Sequence, residues 1–231
     1  MTSLRGDLPA ADGLSERQLS QLAALLGTLE ADEHAPTTVR SAKRAVDVHV
    51  ADSLTALGLG PIRSAAHIAD LGSGSGFPGL ALAVALPGAE VALVESQRRK
   101  CDFLERACAH AEIENALIVC SRVEEWSEGL GRNDVVAARA LAAQPVVLEY
   151  AAPLLRMEGA LVDWRGRRDS AQEAQAICAA ERLGMRLLEI RRTDPYEGAR
   201  DHHLHVFEKI AETPARFPRR AGIARKRPLG C

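Results

Sequence analysis

The chain has 231 residues, 47% of them hydrophobic and 26% charged, with a formal net charge of −2. That length suits one α/β core with small additions, and no apolar run of about 20 residues offers a membrane-spanning helix. The N-terminus, MTSLRGDLPA, lacks the basic-then-apolar layout of a secretion signal, so a cytoplasmic protein is expected; a monomer is expected as well.

Residues before about Leu14 read as poorly ordered. Ser15 then opens a helix with a capping box, because Ser15 and Gln18 can satisfy each other's backbone donors while Leu14 and Leu19 form a hydrophobic staple. Leu19, Leu22, Leu26 and Leu29 give this helix one apolar face. A second helix is expected from about Thr38 to Leu57, stopping at Gly58, Gly60 and Pro61. On it His49, Asp52 and Ser53 fall within one turn, at a spacing that lets side chains meet; a local His49–Asp52 bond is the simplest reading.

The stretch AHIADLGSGSGFPG, Ala66 to Gly79, organises the rest. An apolar run of strand length breaks into Gly72, Gly74 and Gly76, and Pro78 with LALAVAL supplies a following helix. Strand, glycine turn and helix open a nucleotide-binding unit, because backbone can approach a ligand where no Cβ intervenes and a helix N-terminus offers free N–H donors. Two cofactor classes use this unit. Gly74, Gly76 and Gly79 satisfy the dinucleotide fingerprint, while Asp70 with the three glycines gives the acid-x-G-x-G-x-G of S-adenosylmethionine enzymes. Placement favours the second, since Gly72 directly follows the strand. The next strand, Glu90–Glu95, ends in a carboxylate where either class grips ribose hydroxyls, so Glu95 supports adenosine without choosing between them.

Beyond it the alternation is regular: helix Gln97–Ala111, strand Ala116–Cys120, strand Asp134–Arg139, helix Gln144–Leu155, strand Ala160–Trp164, helix Ser170–Leu183. This predicts a mostly parallel sheet covered on both faces. Met185–Thr193 and His203–Ile210 have no helix between them and are expected as an antiparallel hairpin, which separates methyltransferases of this type from dehydrogenase domains. Five cysteines, Cys101, Cys108, Cys120, Cys178 and Cys231, contain no C-x-x-C pair and read as reduced thiols. His202, His203 and His205 bring no further ligands with them, so no metal is expected. From Pro214 to Cys231 the tail holds six cations and no acid; a +6 segment on a −8 body points to a polyanionic partner.

Several of these stretches together resemble the bacterial 16S ribosomal RNA guanine-N7 methyltransferases, also called glucose-inhibited division protein B. They are TTVRSAKRAVDVHVADSL (Thr37–Leu54), IADLGSGSGFPG (Ile68–Gly79), LVESQRRKCDFL (Leu93–Leu104), SRVEEW (Ser121–Trp126), DVVAARALA (Asp134–Ala142) and FPRRAGIARKRPL (Phe217–Leu229). The resemblance implies a Rossmann-like class I methyltransferase with S-adenosyl-L-methionine as cofactor. Its domains would be a helical extension over residues 1–60, a catalytic domain over 61–212 and a basic tail over 213–231. It further implies that Gly72, Gly74 and Phe77 hold the cofactor, that Glu95 takes the ribose and that Val123 with Glu124 embraces the adenine. Arg139 would stand at the cofactor and active-site mouth and is counted among the cofactor-binding residues. The implied partner is 16S ribosomal RNA or the small ribosomal subunit, with Arg219, Arg220 and Lys226 of the tail tracking phosphates. Guanine N7 carries a lone pair and no proton, so the absence of an obvious catalytic acid–base pair is expected, and alignment is the main task. Of the few aromatics, Trp164 and Phe217 are the better candidates to stack on a flipped base, although burial is the simpler reading of both.

Overall fold

The computed structural model describes residues 13–39 and 41–230. The segment expected to be poorly ordered, before Leu14, falls almost wholly outside them. Helix α1 (Glu16–Ala31) begins with the capping box: the Ser15 N–H donates to Gln18 Oε1 at 2.8 Å and the Gln18 N–H returns to Ser15 Oγ. Its buried face is Leu19, Leu22, Leu25 and Leu29, so Leu25 replaces the expected Leu26. Helix α2 covers residues 42–58 and is not uniform: Ala42–Ala45 is α, Val46–Ala51 is a π-turn, Asp52–Leu54 is α and Thr55–Gly58 is 3-10. It starts later than Thr38 because the Thr37 hydroxyl accepts the Val39 N–H, a local turn that competes with a helix start. A short α3 (Gly60–Arg63) leads into the sheet.

The remaining elements are β1 (His67–Leu71), α4 (Gly79–Ala85), β2 (Glu90–Glu95), α5 (Arg98–His110), β3 (Ala116–Cys120) and β4 (Asn133–Arg139). After these come α6 (Gln144–Ala151), β5 (Leu155–Arg165), α7 (Ser170–Arg182), β6 (Met185–Thr193), β7 (His202–Lys209) and α8 (Ile223–Lys226). Helix α6 ends earlier than expected because Pro153 has no N–H to carry the helical bonding past Ala152, and β5 starts correspondingly earlier. Among the described residues the seven-stranded sheet has the order β3-β2-β1-β4-β5-β7-β6. β1 to β5 are parallel, and β7 runs antiparallel between β5 and β6. The Rossmann-like fold and its antiparallel terminal hairpin are thus as expected from the sequence.

Two apolar layers flank the sheet. One contains Leu22, Leu25, Val50, Leu54 and Ile62 of the extension together with Ile68, Leu82 and Leu104. Each such side chain stabilises by about 1.5–3 kcal/mol when fully buried, so the extension is built into the core. The other layer holds α6, α7 and, from the tail, Phe217, Ala224 and Leu229. No described helix is long and apolar enough to cross a membrane. The register sets Leu71 opposite both Val94 and Ala138, which brings the turn after β1 between the carboxyl ends of β2 and β4.

Candidate active site

The glycine turn forms because β1 must reverse under its neighbours. Gly72 adopts φ 69° and its N–H donates to the Val94 carbonyl at 2.8 Å. A Cβ there would stand 2.5 Å from Leu141 Cδ1, so glycine fits both the backbone and the space. Asp70, one residue before the end of β1, turns its Oδ2 to the Gly79 N–H at 3.1 Å and so fastens the start of α4 to the strand. Burial raises the Asp70 pKa to about 6, against the opposing hydrogen bonds from Ser73 and Gly79 and the charge of Arg139.

Beside this turn lies a cleft of about 390 Å³ bordered by Gly72, Glu95, Val123, Glu124, Leu141 and Arg225. Glu95 is buried at the end of β2; its Oε2 accepts the Gly74 N–H at 3.2 Å and its Oε1 the Gln97 N–H at 2.9 Å. Each oxygen accepts one backbone N–H and keeps a second lone pair, so the carboxylate is held rigidly and can still receive hydroxyl donors. Val123 and Glu124 belong to a 3-10 turn directly after β3, on the far wall. Gly74 takes part through its N–H to Glu95 and does not itself border the cleft.

Phe77 and Arg139 lie in an adjoining region. Ala140, just past β4, has φ 54° and borders the cleft together with two further pockets of about 530 and 480 Å³. A left-handed alanine costs about 1–2 kcal/mol, strain of a kind that gathers at functional sites. Arg139 Nη1 donates to the Val48 carbonyl at 2.8 Å and to Asp52 Oδ2 at 3.0 Å, and Asp52 Oδ1 meets His202 Nδ1 at 3.0 Å. The expected His49–Asp52 bond is therefore replaced. The π-turn aims His49 at Thr37 Oγ1 (3.0 Å) and Arg139 Nη2 (3.4 Å), while Phe77 stacks on its ring at 5.0 Å. Arginine only donates, so His49 Nδ1 accepts and the ring proton sits on Nε2. Burial first, and the Arg139 charge second, lower the His49 pKa to about 4.

Several expected roles change in three dimensions. Arg219 is committed to Glu149: its Nε donates to Oε1 at 2.7 Å, Nη2 pairs with Oε2, and Nη2 also reaches the Arg227 carbonyl. Arg220 and Lys226 stay exposed. Phe217, part of the tail itself, is buried against the sheet's α6 and α7 side, and Trp164 is buried with its Nε1 donating to the Asp52 carbonyl at 3.0 Å, although it borders one mouth pocket. The reading of all cysteines as reduced thiols is corrected: Cys101 and Cys120 form a disulfide. The βαβ crossover sets the first turn of α5 beside the end of β3, with Cα atoms 5.9 Å apart, although 19 residues separate them. Asp52, His202, Tyr150 and Arg225 were not read as site residues. Asp52 and Arg225 lie in the stretches that carry the resemblance, but their partners Arg139, His202 and Leu141 are 84 to 150 positions away, so the pairings themselves were not legible.

A sequence profile of GidB, described as rRNA small subunit methyltransferase G, matches residues 15–194. The chain is 38% identical over 186 residues to the ribosomal RNA small subunit methyltransferase G of Syntrophomonas wolfei, covering 80% of this chain and 86% of that protein. It is 40% identical over 187 residues to the protein of the same name from Rubrobacter xylanophilus, covering 78% and 72%. Among solved structures, the branched-chain polyamine synthase C9 mutein from Thermus thermophilus aligns with a TM-score of 0.63 at 15% identity, over 90% of this chain and 67% of that one. Cofactor-bound Rv0187 from MTB aligns with a TM-score of 0.56 at 19% identity, over 84% and 90%. These two share the fold. By profile and by its relatives, the chain belongs to the GidB family, the rRNA small subunit methyltransferases G.

Proposed function

We propose that the chain is an S-adenosyl-L-methionine-dependent methyltransferase that transfers a methyl group to N7 of a guanine in 16S ribosomal RNA, acting in the cytoplasm as a monomer. The observation that carries the reading is Glu95: a buried carboxylate at the end of β2, fixed by the glycine turn and bordering a cleft of about 390 Å³. The residues present fit the cofactor, since Gly72 leaves a side-chain-free edge, Glu95 offers acceptors to a ribose, and Val123 with Glu124 borders the place for an adenine.

The cofactor, when bound, supplies an electrophilic methyl group on a sulfonium. The chain's own task is to hold two partners in line. No base is needed, because guanine N7 is unprotonated, and His49 is accordingly held neutral at the mouth. Arg139, pinned by Asp52 and Val48, borders both mouth pockets and orients what enters. Arg165, Arg167 and Arg200 border the second of these pockets and give an anionic backbone its contacts there. Arg220 and Lys226 add cations on the tail, while Arg219 works by anchoring that tail.

The test is incubation with methyl-labelled cofactor and either 16S RNA or small subunits, followed by mapping of the modified base. Glu95→Ala should keep the fold and weaken cofactor binding by about 1.5–3 kcal/mol, the loss of a charge-assisted contact. Label in no guanine N7, or unchanged affinity in Glu95→Ala, contradicts the reading.

A further inference from the structure

The basic tail is expected from charge alone to be an arm for RNA. Its packing gives it a second occupation. Phe217, Ala224 and Leu229 are buried against the α6 and α7 side of the sheet. Arg219 is clamped to Glu149, a carboxylate only 1% exposed. Residues 214–230 therefore form a strap tied down at several points, and the middle of the strap lies over the cofactor cleft.

Two strap groups reach the cleft wall. The Gly222 N–H donates to Glu124 Oε1 at 2.8 Å. Gly222 has φ 81°, and this left-handed backbone opens α8. Arg225, one turn along α8, borders the cleft, and its Nη2 donates to the Leu141 carbonyl at 3.1 Å. Tyr150 of α6 borders the same cleft, where the Glu124 and Arg225 charges both act on its hydroxyl. Glu124 lies on a three-residue 3-10 turn, an element too short to fix a side chain alone. The Leu141 loop that Arg225 grips supplies the methyl packed against Gly72. Removing the strap's contacts thus frees two walls of the cleft at once.

We propose that the C-terminal strap is a wall of the cofactor site, with Gly222 and Arg225 as positioning residues for Glu124 and the Leu141 loop around the adenosine. This rests on the cofactor reading above. Cofactor affinity then depends on a segment that also presents Arg216, Arg220, Lys226 and Arg227 as exposed cations. A simple RNA arm would have no such dependence.

The experiment is calorimetric titration of the full-length chain with S-adenosylhomocysteine, at a temperature where every variant is folded by circular dichroism. Arg225→Ala should weaken binding about tenfold, the lower end of losing a charged hydrogen bond. Arg225→Lys, which keeps a donor for Leu141, should recover part of it. Arg227→Ala removes the same charge from a residue that does not border the cleft and should bind within twofold of wild type. In turnover, Arg225→Ala should raise KM for the methyl donor and leave kcat at saturating donor nearly unchanged, a split that a general loss of stability does not produce. A wild-type chain that binds and an Arg225→Ala variant that binds equally well overturn the strap's role, as does an equal loss in Arg227→Ala. A wild-type chain that binds no S-adenosylhomocysteine overturns the cofactor reading itself.

Discussion

Replacing Asp52 tests how the mouth is held together. Asp52 and Arg139 pair at 3.0 Å with side chains only 8% and 15% exposed. The same carboxylate meets His202 at 3.0 Å, so it joins α2, β4 and β7. Truncating one partner of a fully buried pair costs about 3–5 kcal/mol, because the other charge is left without compensation. Arg139 retains the Val48 carbonyl and some solvent, which brings the expected loss for Asp52→Ala down to about 2–3 kcal/mol. Asp52→Asn keeps the shape and one acceptor and should lose about half as much. Urea unfolding followed by tryptophan fluorescence is suited to the measurement, since Trp164 Nε1 donates to the Asp52 carbonyl and reports this junction. The activity consequence is a fall in RNA turnover with cofactor affinity within a few-fold, because Asp52 borders both mouth pockets and not the cofactor cleft. A midpoint for Asp52→Ala within error of wild type would refute the bridging role.

Gly79→Ala should destabilise by about 1–3 kcal/mol in thermal or urea unfolding, because the added Cβ would meet Leu93 Cδ2 and come within 2.7 Å of Asp70 Oδ2, with backbone and core on both sides; a neutral substitution would mean that the strand and α4 separate freely. Asp163 is buried, and burial raises its pKa from 3.8 to about 7 against the charge of Arg165 and the Gln144 hydrogen bond. Between those values the native chain binds the extra proton, so this group lowers stability as pH rises through the window. Asp163→Asn should therefore stabilise the protein at pH 8 by up to about 4 kcal/mol, a gain that fades toward pH 4. His205, which meets Gln144 Nε2 from the other side and whose pKa burial lowers to about 4, contributes in the opposite sense between about 4 and 6.5. Comparing variant and wild type at each pH removes its contribution to first order, and a stability difference constant from pH 5 to 8 would contradict the argument.

What could be read from the sequence was mostly what one short stretch decides. Glu90–Glu95 and Ala116–Cys120 are strands with the expected bounds because each is a β-favouring apolar run, and Met185–Thr193 also keeps its bounds, set between Gly184 and Asp194-Pro195. The capping box of α1 lies within four residues and was equally legible. α2 was less so: an i, i+3, i+4 spacing assumes 3.6 residues per turn, and the π-turn at Val46–Ala51 rotates His49 away from Asp52. Nothing in VDVHVA signals that extra residue per turn, because the partners that favour it, Arg139 and Thr37, are contributed by β4 and by the loop before α2.

The same distinction separates the residues that would touch ligand from the residues that hold them. Gly72 and Glu95 sit at strand ends where the parallel topology opens its crevice, so a local pattern already places them. Glu124 and Arg139 are also at strand ends, but their side chains are fixed by Gly222 and Asp52, which lie 98 and 87 positions away. A sequence gives the charge of such partners and not their pairing. The tail therefore read as six free cations, although Arg219 is neutralised by Glu149 and Arg225 is turned to the Leu141 carbonyl. Rigidity at this site comes from the two remote additions to the sheet, the α2 extension pinning the mouth and the strap pinning the cleft. Each is tied through a carboxylate or arginine next to a strand end, so the chemistry at those ends is sensitive to changes far away in sequence and close in space.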